Sequence, residues 1–362
     1  MRYVSYSPDV EKIGSDEVEL FEGIAKTFQG QGETVAKKEG RATRVSHAKS
    51  TALLKGELIV NDGLPAELAQ GLFQGARRYE VLARLAQGPG ELLDDKVSTH
   101  RGFSLKILGV VGAQIPEAQD PGVQDFLLED GKAFINSDAK RFALNLKAGV
   151  SKAPLLPEGV KSVVSDVAHV ANSAIKAVGG QSKTLDFFGH DPLHPLAEKY
   201  FSQVPYRYGA YIAKIGLFPS AGLEAQVGGV MIDHTDDPNR FRNAVRDHFS
   251  SYGAEFDLRM QLCTDLEKMP VEDAATEWPE EMSPYRTVAR IRFDPQASHT
   301  AARAAFVDEH LSFKPANALI EHQPLGQVMR ARLFVYQKLA DLRRQANHVE
   351  PVSPRSLADI PD

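Results

Sequence analysis

The stretch Phe256-Asp257-Leu258-Arg259-Met260-Gln261-Leu262 decides how this chain is read. Phe256, Leu258, Met260 and Leu262 alternate with Asp257, Arg259 and Gln261. A period of two puts the apolar set on one face, as in a half-buried strand. Thr287, Ala289, Ile291 and Phe293 repeat the pattern against Arg290 and Arg292. Upstream, residues 41–60, 78–87, 101–111, 124–129 and 206–219 also read as extended. Helices are expected near Val18–Phe28, after Ser15 or Asp16 as N-cap, and over 130–150, 160–178 and 325–346. Gly30 and Gly32 are expected to weaken the first helix, with AKKEG (36–40) as a turn. Pro65 opens a short helix.

About eight strands in two blocks, without regular strand–helix alternation, predict one α+β domain. Its centre is an antiparallel sheet or barrel. The expected domain covers 1–350. Residues 351–362, rich in proline and polar groups, form a loose tail.

The 362 residues carry 42 Lys plus Arg against 48 Asp plus Glu, with 43% hydrophobic residues and one cysteine, Cys263. That composition excludes a disordered chain, a disulfide scaffold and cysteine-built metal centres. The formal charge of −6 gives no electrostatic footprint for nucleic acid. No run approaches the roughly 18 apolar residues of a membrane span. The N-terminus lacks the apolar core of a secretory signal, so a cytoplasmic protein is expected.

Phosphate loops, GxSxG and HExxH are absent. His190 and His194 are four apart, but Pro192 and Pro195 break the helix that would align them; surface histidines in a loop are expected. The run His234-Thr235-Asp236-Asp237 reads as an exposed acidic turn or a weak cation site. The last helix is more informative. Leu325, Met329, Arg332, Tyr336 and Arg343 follow one face, where a pure core face would be apolar throughout. Arg332 stands one turn before Tyr336, a pairing that suits an anionic oxygen ligand. His47, in Arg44-Val45-Ser46-His47-Ala48-Lys49, is a candidate acid–base group.

Taken in order, these pieces resemble the haem catalase superfamily. RVSHAK (44–49) looks like its distal-histidine segment, and RGFSLKILG (101–109) like one of its strands. DFLLEDGKAFINSDAKRF (125–142), RTVARIRFDP (286–295), LSFKPANALIEHQPLG (311–326) and RLFVYQKLADLRR (332–344) are similar to later family segments. The resemblance runs from about residue 35 to 346 and implies a catalase-like fold, an eight-stranded antiparallel β-barrel with surrounding helices. It implies haem b, with Tyr336 as the proximal iron ligand and Arg332 as its charge partner. Arg44, Arg84 and Arg343 would hold the propionates, Phe134 would pack over the distal face, and His47 would be the distal acid–base residue.

Three departures bear on the substrate. Ser46 stands where typical catalases have an aliphatic residue; a hydroxyl there that bonds His47 is a trait of relatives acting on fatty-acid hydroperoxides. Pro121 falls at the place of the distal asparagine, with Asp120 and Gln124 the nearest polar candidates. The chain is also short, like a minimal catalase. The implied activity is haem-dependent peroxide metabolism, favouring an organic, fatty-acid hydroperoxide in a peroxidase or rearrangement reaction. Disproportionation of hydrogen peroxide is the alternative, and a non-catalytic haem-binding protein a remote one. A homo-oligomer is implied, with a dimer as the expectation.

Overall fold

In the computed structural model, which describes residues 2–97, 99–148, 161, 190–233 and 237–362, the alternating stretch is a strand within a closed sheet. The strands are β1 (Ser50–Val60), β2 (Arg78–Gln87), β3 (Arg101–Leu108), β4 (Val123–Asp130), β5 (Tyr200–Phe201), β6 (Tyr206–Tyr208), β7 (Tyr211–Pro219), β8 (Ala254–Leu262) and β9 (Arg286–Phe293). Every pairing is antiparallel. The ring runs β1-β2-β3-β4-β5-β7-β8-β9 and back to β1, which makes the expected eight-stranded barrel. The ninth strand, β6, folds back on β7 at Tyr208 and Tyr211, so 206–219 is a hairpin rather than one strand.

The barrel interior is aromatic. Phe103 stands 5.2 Å from Tyr200 and 5.3 Å from Phe256, ring centre to ring centre. Each such ring contributes about 1.5–3 kcal/mol by leaving water. A register shift at Leu258/Arg259 against β9 buries both Val288 and Ala289, so the simple alternation fails there, as at a bulge.

Six α-helices occur among the described residues: α1 (Glu17–Glu39), α2 (Ala139–Ala148), α3 (Ala221–Val227), α4 (Arg240–Phe249), α5 (Ala301–Ala305) and α6 (Gln327–Asn347). No helix among them is long and apolar enough to cross a membrane. α1 outlasts its expected end. Gly30 and Gly32 cost about 1 kcal/mol each, but Gln31 and Val35 beyond Gly30 are buried and hold the helix. Lys37 and Lys38 are therefore its last turn, where they complement the helix dipole. α2 begins only at Ala139, because Asp138 accepts the Arg141 N–H at 2.8 Å and starts the helix there. The helix expected over 160–178 lies outside the described residues, apart from Lys161.

α1, α2 and α6 pack together through Phe21, Ile24, Ala143, Leu146, Ala331 and Val335. The C-terminal residues are docked rather than loose. Ile360 is buried, Lys55 Nζ donates to its carbonyl at 2.8 Å, and the Leu357 N–H donates to Glu80 at 3.0 Å.

Two buried histidines make stability depend on pH. His322 Nε2 accepts the Leu72 N–H at 2.9 Å, inside a cage of Phe73, Phe126 and Tyr208. Burial, then the charge of Arg207, push its pKa down to about 3. Burial likewise pushes His194 down to about 4. A base with a depressed folded pKa binds its proton in the unfolded chain first. Stability is therefore full above about 6.5 and is lost as pH falls toward those values. The unfolding free energy should drop by as much as about 1.4 kcal/mol per pH unit for each group. Denaturation series at pH 7 and 5 should show a smaller drop in His322→Gln, whose amide oxygen can still accept the Leu72 N–H.

Candidate functional site

Residues 41–49 were expected to be extended, but β1 starts only at Ser50. The chain turns at His47, whose φ of 53° is left-handed. Such a conformation costs on the order of 1–3 kcal/mol and persists where neighbours over-determine it. Here the His47 N–H donates to the Gly88 carbonyl at 2.7 Å, the Ala48 N–H donates to Pro89 at 2.9 Å, and the Arg84 guanidinium donates to the His47 carbonyl.

This turn points the imidazole at the adjoining ends of β3 and β4, where Gly102 pairs with Glu129. A Cβ on Gly102 would lie 2.9 Å from His47 Nδ1, so the ring fits only over glycine. A Cβ on Gly88 would overlap the His100 ring in the same way. His47 Nε2 is 3.2 Å from Glu129 Oε1, and His100 Nε2 is 3.8 Å from Glu129 Oε2. The two imidazoles meet edge to face at 5.6 Å. Burial alone would raise the Glu129 carboxyl. The hydrogen bond from His47, and the charges of His47, His100 and Arg332, instead hold it at about 2. Glu129 is therefore an anion at neutral pH and only accepts. His47 donates to it from Nε2, and the other ring nitrogen is Nδ1. Nδ1 is buried without a partner among the described residues.

On α6, Arg332 and Tyr336 are one turn apart as the spacing predicts. Arg332 Nη2 donates to the Tyr336 oxygen at 3.3 Å, with the guanidinium 5.3 Å from the ring centre. Burial opposes the Arg332 cation, but the oxygens of Tyr336 and Tyr206 and the Glu129 carboxylate outweigh it and raise its pKa.

A third group gathers around Asp308. Arg44 donates to Leu311 O at 2.8 Å and to Val307 O, and reaches Asp308 at 3.4 Å. Arg84 Nε donates to Ser50 Oγ at 3.0 Å. Arg343 is buried, and its Nε has no partner among the described residues. Burial, then the charge of Arg44, lower the Arg343 cation to about 9. Burial and Arg44 also push Arg84 well below the ordinary arginine range. Among the described residues, Asp308 is the carboxylate that acts on all three guanidiniums. Buried cations need anionic partners, so this cluster suits an added carboxylate.

The fold thus unites Arg44, Ser46, His47, Arg84, Arg332, Tyr336 and Arg343 near one barrel wall. Two of the expected residues behave otherwise. Ser46 Oγ donates to the Gly88 carbonyl at 3.2 Å, not to His47. Phe134 packs on Phe142 of α2, 5.5 Å between ring centres. The candidates for the distal polar residue serve the fold. Asp120 accepts from Asn317 at 2.8 Å, Gln124 Oε1 accepts the Leu319 N–H at 2.8 Å, and Pro121 lies in the turn before β4. The polar group on His47 is Glu129, which the sequence reading missed with His100 and Asp308. Its signal is that Leu127 and Glu129 share one face of β4, opposite the core residues Phe126 and Leu128.

His190 and His194 are buried, not on the surface. His190 Nε2 is 3.1 Å from both Asp130 and Glu198, whereas His194 Nδ1 accepts the Leu196 N–H at 3.1 Å. They form no shared metal site. Residues 234–236 lie outside the described residues.

No family model and no curated relative matches the chain. Solved structures do. A bacterial catalase is similar at a TM-score of 0.58 and 16% identity, over 95% of this chain and 63% of its own. A fungal catalase gives 0.58 and 16%, over 98% and 67%. Catalase A from Saccharomyces cerevisiae gives 0.55 and 15%, over 96% and 68%. The chain spans just under two thirds of the bacterial catalase. A barrel closed on eight strands, with helices packed around it over almost the whole chain, is the fold of the catalases.

Proposed function

We propose that this chain is a haem-dependent enzyme that consumes peroxides, with an organic hydroperoxide as the preferred substrate. The observation that carries the reading is the convergence of the Arg332–Tyr336 pair, the His47 imidazole and the arginine cluster. The residues fit a haem on features of this chain: among the described residues a buried Arg343 Nε lacks a partner, and three guanidiniums share the Asp308 carboxylate. A bound haem would supply the redox centre at which the O–O bond is broken.

The chain's own residues would do the rest. Tyr336 offers an oxygen ligand steadied by Arg332. Arg44, Arg84 and Arg343 pair with carboxylates, for which guanidinium forks are suited. His47 takes the hydroperoxide proton and returns it to the leaving oxygen. Glu129, hydrogen-bonded at Nε2, fixes the tautomer and supports the imidazolium that forms. The turned-away Ser46 supports the second reading, disproportionation of hydrogen peroxide, because it leaves His47 without the expected hydroxyl.

The test is an absorption spectrum of the purified chain after haem supplementation. Oxygen release from hydrogen peroxide is then compared with ultraviolet loss of a fatty-acid hydroperoxide. Absence of a Soret band would end the reading, and fast oxygen release without hydroperoxide loss would end the substrate preference. Arg343→Met should weaken haem binding by about 10- to 100-fold, the loss of one charge-assisted hydrogen-bonding partner. Haem titration followed at the Soret band measures it.

A further inference from the structure

His47 and Glu129 serve the peroxide reading, but His100 beside them has no part in it, and the three together make a further arrangement. One donor atom from each lies within 4.8 Å of the other two. Two imidazole nitrogens and one carboxylate, with further positions open, form a donor set for borderline divalent metals such as zinc and ferrous iron. Bonds of about 2.0–2.2 Å set neighbouring donors roughly 3–3.5 Å apart. The histidine–glutamate separations here are 3.2 and 3.8 Å; small side-chain rotations close the difference. The three side chains keep 15%, 13% and 25% of their surface exposed, so an ion can enter. We infer that His47, His100 and Glu129 form a binding site for a divalent transition-metal ion.

A second trio, Asp130, His190 and Glu198, also offers three donors. There Arg101 Nη1 already holds Glu198 at 2.6 Å, the Arg101 N–H donates to Asp130 at 2.8 Å, and His190 bridges both carboxylates. Its charge is answered by a cation. No lysine or arginine hydrogen-bonds Glu129 among the described residues, and the glycines at 88 and 102 seat the two rings beside it.

The site stands with or without haem. It shares His47 with the peroxide reading, and under that reading a bound metal withdraws the imidazole and slows turnover. Zinc is titrated into the purified full chain by calorimetry, beside His100→Ala, Glu129→Gln and His190→Ala, each checked by circular dichroism. One zinc per chain is expected, with affinity falling at least about 10-fold in the first two variants and holding in the third. X-ray absorption at the zinc edge should show two imidazoles. No binding, binding that survives both His100→Ala and Glu129→Gln, or binding lost only in His190→Ala overturns the site. Glu129→Gln, nearly isosteric, keeps the test sharp if His100→Ala folds poorly. Zinc that binds as expected without slowing peroxide turnover establishes the site and overturns the acid–base role of His47.

Discussion

His47→Ala is expected to lower peroxide turnover by about 10²–10⁴-fold, the usual contribution of one general acid–base group, while haem binding remains. The proximal pair and the arginine cluster lie on α6, β2 and the segment before β1, and the imidazole makes none of their hydrogen bonds. The ring is tied to Glu129 at 3.2 Å and beside His100. Its removal leaves Glu129 with the charges of His100 and Arg332, so the wall is not left with a lone buried anion. The backbone needs a separate control, since φ at position 47 is +53° and alanine is strained there. Asparagine tolerates that region and keeps a hydrogen-bond donor for Glu129, yet it is no base. His47→Asn should therefore match His47→Ala in turnover but unfold closer to the wild-type midpoint. The measurement is kcat/KM on both peroxides with haem content from the Soret band. Near wild-type turnover in His47→Asn at full haem content would remove His47 from the chemistry.

How far the sequence could be read follows from which signals are local. β2 is the expected 78–87 to the residue, and β8 and β9 differ by one or two positions. In β8 and β9 a period-two pattern faces a packed interior on one side, and the pattern itself is the cause of burial, whereas β2 is a continuous buried run from Val81 to Gln87. β5 left no such trace. Two residues, Tyr200 and Phe201, close the ring by pairing with β4 and β7, and two residues have no period. The end of α1 was misread because glycine propensity is local while the burial of Val35 is tertiary. The turn at His47 was missed because its three fixing hydrogen bonds come from residues 84, 88 and 89. The roles expected of Arg44, Arg84 and Arg343 came through the resemblance; their meeting in space depends on three separate elements. The alternation of β4 marks the face of Glu129 but not its partner. At the end of an apolar strand an acid reads as the solvent edge, and only the register of β3 on β4 brings it to His47.

Lys106→Met is expected to cost about 3–5 kcal/mol of stability, the penalty for breaking a buried ion pair from one side. Lys106 Nζ sits 2.9 Å from both oxygens of Asp125, and these side chains are 1% and 0% exposed. Asp125 also accepts the Lys314 N–H at 2.8 Å and Asn317 Nδ2 at 3.0 Å. The pair therefore pins the segment 311–319 to the barrel just before α6, which carries Arg332 and Tyr336. Burial already pushes the Asp125 carboxyl up against the pull of Lys106. Without the ammonium that rise must grow. An acid with a raised folded pKa lends its stability below the unfolded value, about 3.9, and loses it as pH climbs through the folded one. The deficit of Lys106→Met should thus be largest at neutral pH and shrink toward pH 4, as read from urea midpoints. Asp125→Asn in the same chain removes the charge while its amide oxygen still accepts from Lys314. That double variant should recover more than half of the loss at pH 7. If it is as unstable as Lys106→Met alone, the cost lies in lost packing of the lysine stem and not in the stranded carboxylate.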